Sequence, residues 1–187
     1  GIQNFILHSK KIEAFNYLSK FAGLLRIITK SSTEIFIELE REVELLSTYL
    51  DLEKLRFRDA FDYTLVVDDN LRNENLRIPS MMIQPVVENA IIHGLSKLKE
   101  GQLSIKIQRE SDGILCIVTD NGRGREAAIR IANKNKLNHL SVATVNGNER
   151  IESLHSLGYA HAKIEIDDLY DGYRPLGTRV RIYLPFK

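Results

Sequence analysis

Apolar and polar positions alternate along this chain in two distinct periods, and the change from one to the other divides it. From Phe5 to Ile28 the apolar residues Phe5, Ile12, Phe15, Leu18, Ala22, Leu25 and Ile28 mostly return every three or four positions, which predicts a helix with one buried stripe. Thr29-Lys30-Ser31-Ser32-Thr33 breaks that rhythm. A second stripe follows at Leu39, Val43, Leu46 and Leu50, with Glu38, Glu40 and Glu42 near its start, where the positive end of the helix dipole favours carboxylates. Together these predict an antiparallel helical hairpin. After Phe57 the period shortens. Phe61-Asp62-Tyr63-Thr64-Leu65-Val66-Val67 is rich in β-branched and aromatic residues and reads as a strand, so a boundary is expected near residue 60.

Beyond that boundary, Ile78-Pro79 leads into an apolar helix through Ile92, with Pro85 expected near its beginning or at a bend and Gly94 placed to end it. Ser104 to Gln108 and Ile114 to Asp120 form a strand pair around the turn residues Glu110-Ser111-Asp112-Gly113. The polar, Asn- and Lys-rich stretch from Arg125 to Asn148 predicts a short helix and a loop, followed by a helix from about Asn148 to Leu157. Lys163 to Ile166 and Arg179 to Leu184 alternate as half-exposed antiparallel strands. This order of elements predicts an α/β (α+β) two-layer sandwich, a mixed, mostly antiparallel sheet with helices on one face, preceded by the hairpin. The expected division is 1–60 and 61–187.

Composition narrows the function classes. With 187 residues, 43% apolar and 27% charged, the chain can bury one good core. A net charge of +1 and the lack of a basic stripe interleaved with aromatics argue against nucleic acid. The single cysteine, Cys116, lies among Ile114, Leu115, Ile117 and Val118 and reads as a buried apolar residue, which suits a reducing compartment. No run approaches the ~18 apolar residues of a membrane helix. Gly1 ahead of Ile2-Gln3-Asn4-Phe5 reads as a cloning remnant, so the chain is expected to be a piece of a longer protein.

The chemistry concentrates in two segments. Gln84-Pro85-Val86-Val87-Glu88-Asn89-Ala90-Ile91-Ile92-His93-Gly94 sets an acid, an amide and an imidazole on an otherwise apolar helix, which is unfavourable unless something polar meets them. Asp120-Asn121-Gly122-Arg123-Gly124 ends an apolar strand with an acid and two closely spaced glycines, as at a sheet edge that opens onto a ligand.

These residues resemble the sensor histidine kinases of the LytS type, whose catalytic half is a GHKL ATPase domain (HATPase), and the resemblance covers nearly all of the chain. Leu39-Glu40-Arg41-Glu42 through Tyr49-Leu50-Asp51-Leu52-Glu53 to Arg56-Phe57 is similar to the signature that precedes the ATPase domain. Ile78 to Gly94 resembles the asparagine box, Asp120 to Arg125 the first glycine box, and Gly177-Thr178 the closing Gly-Thr pair. Four motifs in order carry far more weight than any one of them. The resemblance implies ATP and Mg²⁺ as cofactors. Asn89 would coordinate the metal through its amide oxygen, Glu88 would orient a water in the metal's shell, and His93, one turn beyond Asn89, would reach a phosphate. Asp120 would accept a hydrogen bond from the adenine amino group, Gly122 and Gly124 would let backbone approach base and ribose, and Thr178 would support the adenine. Lys134 and Lys136, in the lid, would touch phosphates. Glu88 and His93 are thus the catalytic candidates.

The resemblance further implies a two-component system: a homodimer formed through the N-terminal helices, a response-regulator partner, and a cytoplasmic position in an inner-membrane protein anchored by segments absent here. Two departures qualify it. The family's Asn-Pro-His-Phe acceptor motif occurs nowhere among His8, His93, His139, His155 and His161, so the fragment is expected not to phosphorylate itself. In the glycine-rich box after the lid only Gly147 remains between His139 and Arg150, with Ser141 or Thr144 as substitute hydroxyl donors and Arg150 as a brace for lid or sheet. The alternative this second departure raises is a degenerate domain acting as a nucleotide-binding or scaffold module without kinase activity.

Overall fold

In the computed structural model, residues 12, 15, 17–23, 34–57, 60–71, 74–96, 98–124 and 142–186 are described, the side chains of 142–148 excepted. A five-stranded sheet is its frame. β2 (Phe61–Val67), β4 (Gly101–Glu110), β5 (Gly113–Asp120), β6 (Lys163–Asp171) and β7 (Arg174–Pro185) stand in the order β2-β4-β5-β7-β6. β2 runs parallel to β4, and the other pairs are antiparallel. The expected mixed, mostly antiparallel sheet is therefore present. β5, at its centre, is the most apolar strand: Ile114, Leu115, Cys116 and Val118 are buried. Cys116 has no exposure at all, as its neighbours predicted.

Two short strands absent from the sequence reading, β1 (Phe36–Glu38) and β3 (Arg77–Pro79), pair antiparallel in a separate ribbon. Arg77 clamps this ribbon by donating to the Phe36 carbonyl at 2.5 Å and to Glu34 Oε2 at 3.0 Å. The ribbon matters because of what its ends feed. β1 runs directly into helix α1 (Leu39–Arg56), whose first amide donates to the Leu76 carbonyl at 2.8 Å, and β3 leads to helix α2 (Gln84–Asn89). The start of α1 and the start of α2 are thereby tied together.

α1 buries Leu39, Leu45, Leu46, Tyr49, Leu50 and Leu52 in one hydrophobic cluster with Ile83, Val87 and Ile91 of the α2 region and Ile105, Ile107 and Val118 of the sheet. The helix stripe and the sheet alternation therefore meet in a single core, where each fully buried Leu or Ile contributes roughly 1.5–3 kcal/mol. Residues 17–23 are helical; Lys20 pairs with Asp51 of α1 at 2.8 Å, and Asp51 also accepts from the Tyr63 hydroxyl of β2 at 2.7 Å. The rest of the first predicted helix, and the Thr29–Thr33 break, lie outside the described residues.

α2 departs from expectation at its end. Pro85 sits in its first turn, where a missing N–H does no harm. Gly94 does not end the helix: α2 continues as a π-helical turn over Ala90–Leu95, with Gly94 inside it. π turns of this kind concentrate at functional sites. Helix α3 (Val142–Ser156) begins well before the expected Asn148. It covers most of the stretch in which a glycine-rich loop was the comparison. β6 and β7 are also longer than their alternating cores suggested. No described helix is long and apolar enough to cross a membrane.

Candidate functional site

Asp120, the last residue of the central strand, is the acid at the sheet edge. It is 6% exposed, although it is charged in its ordinary form. The Gly122 amide donates to its Oδ1 at 2.8 Å, and the backbone of Thr178, its cross-strand partner on β7, directs a second amide to the carboxyl. Burial dominates and pushes the Asp120 carboxyl up to about 6; the two amides draw it down, and the charge of Asp168, which faces Thr178 from β6, draws it up.

Three glycines make the socket. A Cβ on Gly122 would stand 2.4 Å from Asp120 Oδ1 and 2.6 Å from the Gly94 Cα, so the π turn of α2 lies directly against this loop. Gly94 is packed on the same carboxylate, with a Cβ there falling 2.8 Å from Oδ1. Gly177, with φ of 128°, has the Asp120 carbonyl oxygen 1.8 Å from where a Cβ would be. Any larger residue would displace backbone. Gly94 was read from sequence as a helix end; its role is contact. Gly124, also left-handed at φ 74°, sits beside the Pro175 side chain at the start of β7.

Asn121 shows that Asp120-Asn121-Gly122 is more than a solvent turn. Its Oδ1 accepts from the Gln102 amide at 2.7 Å, and its Nδ2 donates to the Glu100 carbonyl at 3.2 Å, pinning the loop to the start of β4. The sequence reading gave Asn121 no role.

α2 carries the other candidates. Val87, Ala90 and Ile91 are buried, while Glu88, Asn89 and His93 are half-buried. Asn89 lies five residues before Gly94, about one turn back along the same helical run. Glu88 faces α1. Burial raises its carboxyl above the usual range, against a hydrogen bond from the Gln84 side chain and the positive charge of Arg56. Glu53 of α1, 6% exposed, has the Arg56 guanidinium 2.5 Å from its Oε2; burial raises it too, and Glu88 adds to the rise. The guanidinium also stacks over the Phe57 ring at 4.6 Å.

The structure thus brings Asp120, Gly122 and Thr178 together with Gly94 and Gly177, and sets Glu88 against Glu53 and Arg56. Lys134 and Lys136 lie outside the described residues, as do His8, His139 and Ser141. Among the described residues no three His, Cys, Asp or Glu side chains gather as a metal cage. Glu42 and Glu53 were missed as interior residues. Their spacing from Leu39, Leu46, Tyr49 and Leu50 carried the signal, since positions three or four apart share a helix face.

The family model of the histidine kinase-, DNA gyrase B- and HSP90-like ATPases matches residues 75–187, and a histidine kinase model matches 1–61. The chain is 31% identical to the sensor protein LytS of Oceanobacillus iheyensis over 94% of its own length and 29% of the relative's. It is 26% identical to the sensor histidine kinase YpdA of Escherichia coli over 80% of this chain and 24% of that one. The chain therefore spans under a third of the length of these relatives. Among solved structures, the histidine kinase domain of a blue-light activated kinase from Erythrobacter litoralis superposes with a TM-score of 0.56 at 16% identity, covering 90% of this chain and 74% of that one. The mycobacterial sensor histidine kinase MprB gives 0.53 at 14%, covering 81% and 97%. These last two share the fold.

Proposed function

Since this chain belongs to the histidine kinase-, DNA gyrase B- and HSP90-like ATPases, the family whose fold implies ATP binding, we propose that it is the catalytic part of a sensor kinase that holds Mg·ATP between α2 and the Asp120 edge of the sheet. One observation carries the reading. A buried carboxylate, fixed by its own loop amide and walled by Gly94 and Gly122, leaves an acceptor suited to a planar base bearing an exocyclic amine.

The division of labour follows from residue chemistry. Asp120 accepts from the adenine amino group and so disfavours guanine, which presents a carbonyl there. Thr178 and the backbone at Gly122 and Gly124 support base and ribose. Asn89, further along α2, supplies a neutral amide oxygen to Mg²⁺; one such ligand with phosphates and water suits this ion, which rarely takes an all-protein cage. When bound, Mg²⁺ neutralises charge on the phosphates and orients them for in-line transfer. Glu88 holds a water of the metal's shell, His93 approaches a phosphate, and Lys134 and Lys136 serve phosphates from the lid. In the longer protein the γ-phosphoryl group passes to a histidine upstream and from there to an aspartate of a response regulator. The chain by itself binds ATP without labelling itself.

Residues 1–60 then form the dimerisation part and 61–187 the ATPase part. A homodimer is supported by the exposed apolar positions Ile12, Phe15, Leu18 and Phe21, three residues apart on helical backbone. We place the ATPase part on the cytoplasmic side of an inner membrane, reached through segments outside this chain.

A second reading has its own support: α3 is helical from Val142, where a glycine-rich loop would wrap the phosphates, so the domain holds nucleotide weakly and serves as a scaffold. Radiolabel from γ-labelled ATP decides between them. An upstream-extended protein that takes up phosphate with Mg²⁺, beside an unlabelled 1–187, supports the kinase; an extended protein that stays unlabelled refutes it.

A further inference from the structure

Glu42 is the acid that the proposed chemistry leaves unused. It sits in the first turns of α1 yet is 1% exposed, and neither carboxylate oxygen completes a hydrogen bond among the described residues. The backbone amides of Met81 and Ile83 face it from the turn that opens α2, the positive charge of Arg150 on α3 favours its ionised form, and its own charge acts on the buried Cys116 of β5. Arg150 in turn donates to the Met81 carbonyl. Met81 is the one described non-glycine residue with positive φ, 57°. Met81 therefore turns its N–H toward Glu42 and its carbonyl to Arg150, so a single peptide turn lies between α1 and α3.

We propose that Glu42 and Arg150 form a latch across Met81, through which α1 sets the position of the nucleotide helix α2 and of α3 together. Glu42 is then a positioning residue, acting on the site through backbone it holds. A desolvated acid with incomplete partners is a poor choice for stability alone, because a neutral isostere would avoid the desolvation. Its place fits transmission: the β1–β3 ribbon already ties α1 to the approach to α2, and Glu42 adds a charge-dependent hold at the next turn. Movement of α1 would release or tighten α2 and α3 in one step.

The latch rests on the ATP reading above, and the test separates the two. In the full-length protein, Glu42→Gln and Arg150→Ala are each expected to weaken Mg·ATP binding by about fivefold or more, with the double variant no weaker than the poorer single one. Arg150→Lys, which keeps one donor and the charge, should restore most of the affinity. Glu42→Gln should do this while raising the melting temperature at pH 8, a split that a purely structural residue would not give. Hydrogen exchange of 81–95 and 142–156 without nucleotide supplies a readout independent of ATP: Glu42→Gln should quicken both segments. Native affinity and exchange in Glu42→Gln would overturn the latch, as would strictly additive single effects. If the wild type binds no ATP but the variant still loosens both segments, the ATP reading falls and the latch stands.

Discussion

Asp120 and Glu42 are both buried carboxylates raised well above their ordinary range by desolvation, yet they sit in opposite kinds of surroundings. Asp120 ends a strand, with a well-formed hydrogen bond from Gly122 and glycines cut away around it. Glu42 is enclosed by α1, α2, α3 and β5, with backbone amides that approach without completing a bond. The contrast teaches that burial of an acid has two uses. At the sheet edge it prepares an acceptor for a ligand; in the core it makes the packing of three helices depend on a charge.

The comparison breaks first at Gly177. Gly177→Ala should destabilise by about 3 kcal/mol or more, because the new methyl meets the Asp120 carbonyl and backbone must move; chemical denaturation measures it, and a fall under about 1 kcal/mol would mean that the socket is looser than drawn. Asp120→Ala should weaken ATP by roughly ten- to hundredfold, the worth of a charged hydrogen bond, with the fold intact by circular dichroism. Glu42→Gln should instead stabilise by about 1–3 kcal/mol at pH 8. The sign follows from linkage. The folded carboxyl, at about 7 against 4.5, binds protons more tightly than the unfolded one, so native stability falls as pH rises between those values, and the advantage of Gln should fade below pH 5. ATP affinity should run the other way. It should fall as the pH drops through about 6 and Asp120 takes up a proton, a dependence that Asp120→Asn would reduce to the part set by Glu42. Smallest of all, Tyr63→Phe deletes the hydrogen bond to Asp51 and should cost about 1 kcal/mol, with no change in ATP affinity.

What could be read beforehand was whatever repeats along the chain. β2, β4 and β5 follow from alternation or apolar runs bounded by turn residues, and most of α1 from its stripe at Leu39, Leu46 and Leu50. Asp120 and Gly122 stood out as an acid and a glycine at a strand end, Thr178 only through the family resemblance, and the β5–β7 register brings Thr178 to Asp120. What failed depends on distant parts of the chain. β1 and β3 are three residues each, too short to show a period, and exist by pairing across about forty residues. Gly94 looked like a helix stop because only the fold places Asp120 against it. Glu42 looked like a dipole-favoured surface acid because its charge outweighed its position on the apolar face.

Calorimetric titration of the chain with ATP and with GTP in the presence of Mg²⁺ tests the nucleotide reading most directly. Saturable binding of one ATP per chain is expected, lost in Asn89→Ala and weakened roughly ten- to hundredfold in Asp120→Ala, with GTP far weaker. No saturable binding, or equal affinity for the two purines, would contradict it.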